Sequence, residues 1–146
     1  MKDLYNKIKV VPVVSPISRA DGNSNTVEVD LAGFNSAVIV WEMGAASGLS
    51  DSNKWHITMT HADDDGSGSA GSYANVAAKD ILGATPASGV VLTADDDTEW
   101  ANSIHTIGYV GGKRFIKLVL AETGTGPTIV QGICVIKGNP LDAPTN

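Results

Sequence analysis

The chain has little with which to brace a fold chemically. One of its 146 residues is cysteine, Cys134, so no intrachain disulfide can form. Cys134 lies within the apolar run Ile133-Cys134-Val135-Ile136, where a thiol packs as a small hydrophobe. No cation or helix start stands beside it in sequence, so buried filler is preferred over a reactive thiol. Bases are scarce as well: ten Lys and Arg stand against sixteen Asp and Glu, a formal net charge of −6. That balance lacks the basic stripe that nucleic-acid binding needs. No apolar run approaches the roughly 18 residues of a membrane-spanning helix. Met1-Lys2-Asp3-Leu4-Tyr5 lacks the apolar core of a signal peptide, so synthesis in the cytoplasm is expected.

What is present is sixteen glycines punctuating stretches rich in Val, Ile and Thr, a composition suited to strands and tight turns. Lys7 to Val14 is apolar but carries Pro12, which predicts an edge strand or an extended arm. Asp21-Gly22-Asn23-Ser24-Asn25 is a turn cluster. Thr26 to Leu31 alternates, with Val27, Val29 and Leu31 on one side. Ser36 to Met43 reads as a central strand covered on both faces. Asn53 to His61 alternates again, with Trp55, Ile57 and Met59 inward. Asn75 is placed to cap a helical turn over Val76 to Leu82, closed by Gly83. Gly89 to Thr93 is a further apolar run, and Asp95 to Glu99 an acidic turn. Ser103 to Val110 and Lys113 to Ala121 flank Gly111-Gly112, the pattern of a two-residue hairpin. Thr128 to Lys137 is a last apolar strand, followed by a proline-bearing tail. The expectation is an all-β single domain, a β-sandwich or jelly roll of about eight strands. Residues 1–25 are expected as an extended N-terminal arm or edge strand, 26–137 as the sandwich, and 138–146 as a short C-terminal tail.

The residues that carry chemistry do not assemble into a known pattern. His56, His61 and His105 have no metal-ligand spacing and read as surface or edge histidines. Asp63-Asp64-Asp65-Gly66 fails as an EF-hand, because His61 would hold the first ligand position and Ser72 the last. A looser ion site from Asp63, Asp65 and Asp95–Asp97 is weighed against a soluble hairpin turn, and the turn is preferred. Glu28, Glu42, Glu99 and Glu122 offer carboxylates for glycoside chemistry, but sequence alone brings no two together. No nucleophile elbow, P-loop or Rossmann pattern is present. Trp41 and Trp55 fall on apolar strand faces, whereas Trp100 after the acidic turn is the candidate exposed aromatic for a sugar platform. No enzyme activity, cofactor or metal is expected.

Six stretches, taken in order, carry a resemblance. They are residues 3–12 (Asp3 to Pro12), 29–37 (Val29 to Ala37), Asp64-Asp65-Gly66, 75–83 (Asn75 to Gly83), 107–116 (Ile107-Gly108-Tyr109-Val110-Gly111-Gly112-Lys113-Arg114-Phe115-Ile116) and Gly138-Asn139-Pro140-Leu141-Asp142-Ala143-Pro144. Together they resemble a family of short tailed-phage and prophage proteins found with head-morphogenesis proteins. The resemblance spans nearly the whole chain, and Tyr-Val-Gly-Gly-Lys-Arg-Phe is its most specific segment. Family members often carry basic residues or histidine near the closing proline, where this chain has Asn139-Pro140-Leu141-Asp142.

The resemblance implies a virion component, a capsid decoration or cement protein on the outer surface of an HK97-like head, made in the host cytoplasm. Its partners would be the major capsid protein and further copies of itself, a trimer being favoured by the three-fold sites of a shell; no nucleic acid or membrane is implied. The alternatives are a head–tail connector or tail component, or a carbohydrate-binding sandwich on the virion surface. Expected partner-binding residues are Tyr5, Ile8, Val10, Val11, Pro12 and Val13 in the arm, Lys113 and Arg114 after the glycine pair, and Pro140 and Leu141 in the tail. Removing residues 1–14 is expected to abolish capsid attachment and leave the sandwich folded, checked by attachment to shells.

Overall fold

The computed structural model describes residues 3–20, 22 and 24–142. Asp21 and Asn23 of the turn cluster, residues 1 and 2 of the arm and residues 143–146 of the tail lie outside the described residues. The chain folds into two antiparallel sheets packed face to face. In order the strands are β1 (Ile8–Arg19), β2 (Asn25–Asp30), β3 (Phe34–Ser47), β4 (Lys54–Ala62), β5 (Ala74–Asn75), β6 (Ile81–Leu82), β7 (Val90–Ala94), β8 (Ile104–Tyr109), β9 (Phe115–Thr123) and β10 (Thr128–Pro140). The first sheet runs β1-β10-β3-β8-β6; the second runs β2-β9-β4, with β5 and β7 both pairing the far side of β4. Eight strands are five residues or longer, and they hop from sheet to sheet as a jelly roll does. The two additional strands, β5 and β6, are two residues each.

The core lies between the sheets and is built from the inward set of each alternating strand. Ala37, Ile39, Trp41 and Met43 of β3 face Trp55, Ile57 and Met59 of β4, with Ile107 and Tyr109 of β8 and Ile129, Ile133 and Val135 of β10 beside them. The two polar indoles keep partners in this apolar space. Trp41 Nε1 donates to Gln131 Oε1 at 3.1 Å, and Trp55 Nε1 donates to the Pro127 carbonyl at 3.2 Å, which spares the cost of burying an unsatisfied N–H.

Several expectations are overturned. Gly111-Gly112 does not close a hairpin: β8 belongs to the first sheet and β9 to the second, so this segment crosses the core edge between them. The glycine at 111 serves a close approach, because a Cβ there would stand 2.6 Å from the Tyr109 hydroxyl. The helix expected at Val76 to Leu82 is a 3-10 turn at Ala78–Asp80 followed by β6. Asn75 pairs with Thr60 in the sheet, Val76 is buried, and Asp80 Oδ2 accepts from the Ala77 amide, so tertiary contacts end the helix before it forms. β3 is central but covered on one face only, since Val38 and Glu42 are exposed between buried neighbours. The tail does continue the sheet: β10 runs to Pro140, paired with Phe34. The missing amide hydrogen is tolerated because β1, the neighbour on the other side, pairs no further than Gly138.

The segment with Pro12 takes the edge-strand alternative. β1 pairs β10 from Ile8 to Arg19, and its register shifts fall after Pro12 and across Pro16. Removing residues 1–14 would therefore strip half of a sheet strand, including buried Val14, rather than a free arm. Two prolines and two irregularities also blunt this edge against pairing with other chains.

The Tyr109–Gly111 approach gives a direct test. G111A is expected to lower the unfolding free energy by about 1–3 kcal/mol through overpacking. Gly112 has open space around its Cα, so G112A should stay within about 0.5 kcal/mol of the parent. Urea titrations of the two variants check this, and equal midpoints would refute the packing account.

Candidate interaction surface

The outward faces of the two sheets differ in chemistry. Paired residues in the first sheet stand in rows. One row reads Val10, Ile136, Val38, Gly108 and Leu82; the next Pro12, Cys134, Val40 and Thr106; a third Gly132, Glu42 and Ile104; and Ile8, Gly138 and Ser36 form a fourth. Val10, Leu82 and Ile104 are each more than half exposed, at 56, 58 and 64%. Glu42 is the single charged side chain among these described residues. The outward face of the second sheet is more polar, with Glu28, Lys117, Thr60 and Asn75 in one row, Thr26, Val119, Thr58 and Val90 in the next, and Ala121, His56 and Thr93 in a third. Its Glu28 accepts a hydrogen bond from the Tyr73 hydroxyl, and Lys117 Nζ sits 3.6 Å over the Tyr73 ring. An apolar patch spanning five strands on one side of an otherwise polar sandwich is the mark of an interaction surface.

The expected partner-binding residues divide between places. Ile8, Val10 and Pro12 lie on the apolar outward face. Val11 takes the opposite side of β1, and Val13, at the register shift, packs against the core. Tyr5 is exposed on a 3-10 turn at Tyr5–Lys7, just before β1. Pro140 is half-buried in β10, and Leu141 is exposed, its amide donating to the Gly33 carbonyl at 2.9 Å. Lys113 and Arg114 are engaged in ion pairs within the chain while staying partly exposed. Lys113 pairs with Asp63, while Arg114 forks onto Asp30 at 2.8 and 2.9 Å and also reaches Asp64. They tie the crossing segment to β2 and to the acidic loop. Sequence reasoning missed Val38, Val40, Leu82, Ile104, Cys134 and Ile136. Their alternation with inward residues was readable, but which face stays uncovered was not.

The aspartates and aromatic residues weighed for ion or sugar binding have structural tasks. Asp64 Oδ1 accepts from the amides of Gly66 and Gly68, and Asp65 Oδ1 from those of Ser67 and Ser69. Asp96 caps the four-residue helix α1 (Asp97–Trp100), and Asp97 accepts from the Gly48 and Leu49 amides. Among the described residues no group of three or more His, Cys, Asp or Glu could hold a metal. Trp100, expected exposed, is buried: α1 turns it back onto Trp41, ring centroids 5.2 Å apart, and His105 stacks on it at 3.7 Å. Neither His61 nor His105 is a plain surface residue. His61 is buried with Nδ1 3.0 Å from the Tyr109 hydroxyl, and His105 lies half-buried beside the Ser103 hydroxyl. Cys134 is only half-buried, on the outward face, and burial together with Glu42 raises its thiol pKa.

No family model matches this chain. No curated relative matches it either. Among solved structures, the coat protein of Tobacco streak virus aligns over 97% of this chain and 93% of its own, at 12% identity and a TM-score of 0.38. A structure of Bacillus endospore appendages, described as disulfide-linked pili, aligns over 94 and 96% at 11% identity and a TM-score of 0.35. One of infectious bursal disease virus, Gx strain, aligns over 92% of this chain and 41% of its own, at 10% identity and a TM-score of 0.25. Scores this low assign neither a family nor a function; the architecture stands on the sheet pairing itself.

The Tyr109 hydroxyl accepts from the Lys113 amide at 3.3 Å and lies 3.0 Å from His61 Nδ1. Burial is what holds His61 below its ordinary pKa of 6.5, and burial with the Lys54 charge does the same for His56. As pH falls below 6.5 the unfolded chain takes up these protons first, so stability declines until the folded pKa values are reached. A second limb comes from carboxylates. The Arg114 fork holds Asp30 low, and the Gly68 and Gly66 amides hold Asp64 low, with Arg114 adding to it. Their contribution is complete above the ordinary value of 3.8 and is lost as pH falls through their own lower values. Urea midpoints followed across pH should show both limbs, with H61Q flattening the upper one and D30N the lower. An H61Q curve parallel to the parent as pH falls below 6.5 would remove His61 from the account.

Proposed function

We propose that this chain is a non-enzymatic virion structural subunit, a decoration or cement protein that binds the outer surface of a tailed-phage major capsid protein shell and stabilises the head. The observation that carries the reading is the apolar outward face of the first sheet, which includes Ile8, Val10 and Pro12 of the expected docking segment. The resemblance of six stretches to tailed-phage head proteins supplies the context. Jelly rolls serve capsid, lectin and cupin domains alike, so architecture alone does not choose among them. The sugar-binding alternative has lost its platform, because Trp41, Trp55 and Trp100 are all buried.

Mechanically, a cement subunit works by covering junctions between capsid subunits, so that added contacts resist outward pressure. A stable contact of this kind buries about 1,200–2,000 Å² in total. The first sheet is suited to this: its strands are locked by pairing before docking, so little conformational entropy is lost on binding. Copies would sit on the shell's symmetry axes, with a trimer at three-fold sites as the favoured arrangement.

The test is to mix the purified protein with shells that lack it and image them by cryo-electron microscopy. Regular density on the outer surface, with the first sheet turned inward and lost in a double variant carrying V10D and L82D, is the expected result. Bare shells would overturn the reading, and density confined to the portal vertex would replace it with a connector role.

A further inference from the structure

We propose that the apolar face is keyed by an arginine of the partner protein, laid along a hollow floored by glycine with its guanidinium on Glu42. This deepens the docking reading of that face and rests on it. The hollow, about 370 Å³, is lined by Pro16, Val130, Ile104, Gly44 and Gly132, with Glu42, Asn102 and Ser103 as its polar wall. A Cβ at Gly44 would come within 3.3 Å of Val130, and one at Gly132 within 3.3 Å of Pro16. Glycine at these two positions lets Val130 and Pro16 pack close to the floor of the hollow. A second hollow of about 160 Å³, lined by Pro12, Val40 and Cys134, adjoins Glu42 from the other side. Glu42 thus lines both recesses, the smaller of them mainly apolar.

The carboxylate decides the partner's chemistry. Asp30, Asp63 and Asp64 are each matched by Arg114 or Lys113, and Glu28 by Tyr73. Glu42 has no ion pair or side-chain hydrogen bond among the described residues. Covering the apolar rows would bury it, and a buried carboxylate without a cation is strongly unfavourable. A partner that brings a positive charge to Glu42 removes that cost. A second copy laid face to face would instead oppose Glu42 to another chain of net charge −6. Apolar walls suit the aliphatic stem of a long basic side chain. The two uncommitted oxygens of Glu42 match the planar arginine fork better than the point charge of lysine.

The experiment is a nuclear magnetic resonance titration of the full chain with the blocked tripeptide Val-Arg-Val and, separately, its norleucine counterpart. Amide shifts at Gly44, Gly132 and Ile104 are expected with the arginine peptide. They should weaken about tenfold with norleucine and in the E42Q protein, the loss of one charge-assisted pair. Equal response to both peptides, an E42Q response like the parent's, shifts elsewhere, or no shift at millimolar peptide would each overturn the proposal. The norleucine comparison uses the unaltered protein, so it holds even if E42Q perturbs folding. Peptide binding at the hollow without attachment to shells would sink the capsid reading and leave this one; shell attachment unchanged in E42Q would do the reverse.

Discussion

The two sheets must bury one face each against the other, and the rest of the structure follows from that single closure. Trp41, Trp55, Tyr109, Ile57, Ile116 and Val135 are fully buried between them. Here the apolar face of each sheet is covered by the other, a packing in which the sheets lie about 10 Å apart and their side chains interdigitate. Apart from β4 and β7, which share the second sheet, successive long strands alternate between sheets, so most connections cross the edge of the core. Those crossings are where the irregular chemistry sits. Arg114 and Lys113 gather Asp30, Asp63 and Asp64 at one crossing. The Trp100–His105 stack closes the core beside another.

Closure also explains why the outer faces were free to diverge. Once the inward set of each strand is committed to the core, the alternate positions carry no folding duty beyond staying in register. On the second sheet threonines and charges dominate, with Val119 and Val90 among them, as expected where a sheet faces water. On the first sheet they are Val10, Val38, Val40, Ile104, Ile136 and Leu82, which water does not favour. The glycine and proline choices there, Gly44, Gly132, Pro12 and Pro16, shape hollows and blunt the β1 edge together. That face is apolar, pitted and marked by one carboxylate.

Period-two alternation located most long strands to within a few residues, and it named the inward residues of β2 and β4 correctly. It could not say which strands pair. Gly111-Gly112 between two alternating runs is a sound local signal for a hairpin, yet the runs belong to different sheets. Asn75 and Gly83 resemble helix caps, but pairing of Asn75 with Thr60 and burial of Val76 outweigh a short helix of marginal propensity. Part of the candidate surface was legible, since Ile8, Val10 and Pro12 were singled out as partner residues. The remainder comes from four other strands that are far apart in sequence and meet only across the sheet.

The sequence by itself determined that this protein is all-β, where its turns fall, and that no disulfide braces it. These are properties of composition and of alternation along a single stretch of chain, which backbone geometry and glycine punctuation enforce locally. Only the tertiary structure decided that β8 and β9 part company, that Trp100 turns inward, that Arg114 is spent on an internal latch, and that Glu42 stands alone on an apolar face. Each of those depends on which distant residues lie opposite. Alternation tells a strand that it has two faces; only the packing of one sheet on another tells it which face is left bare.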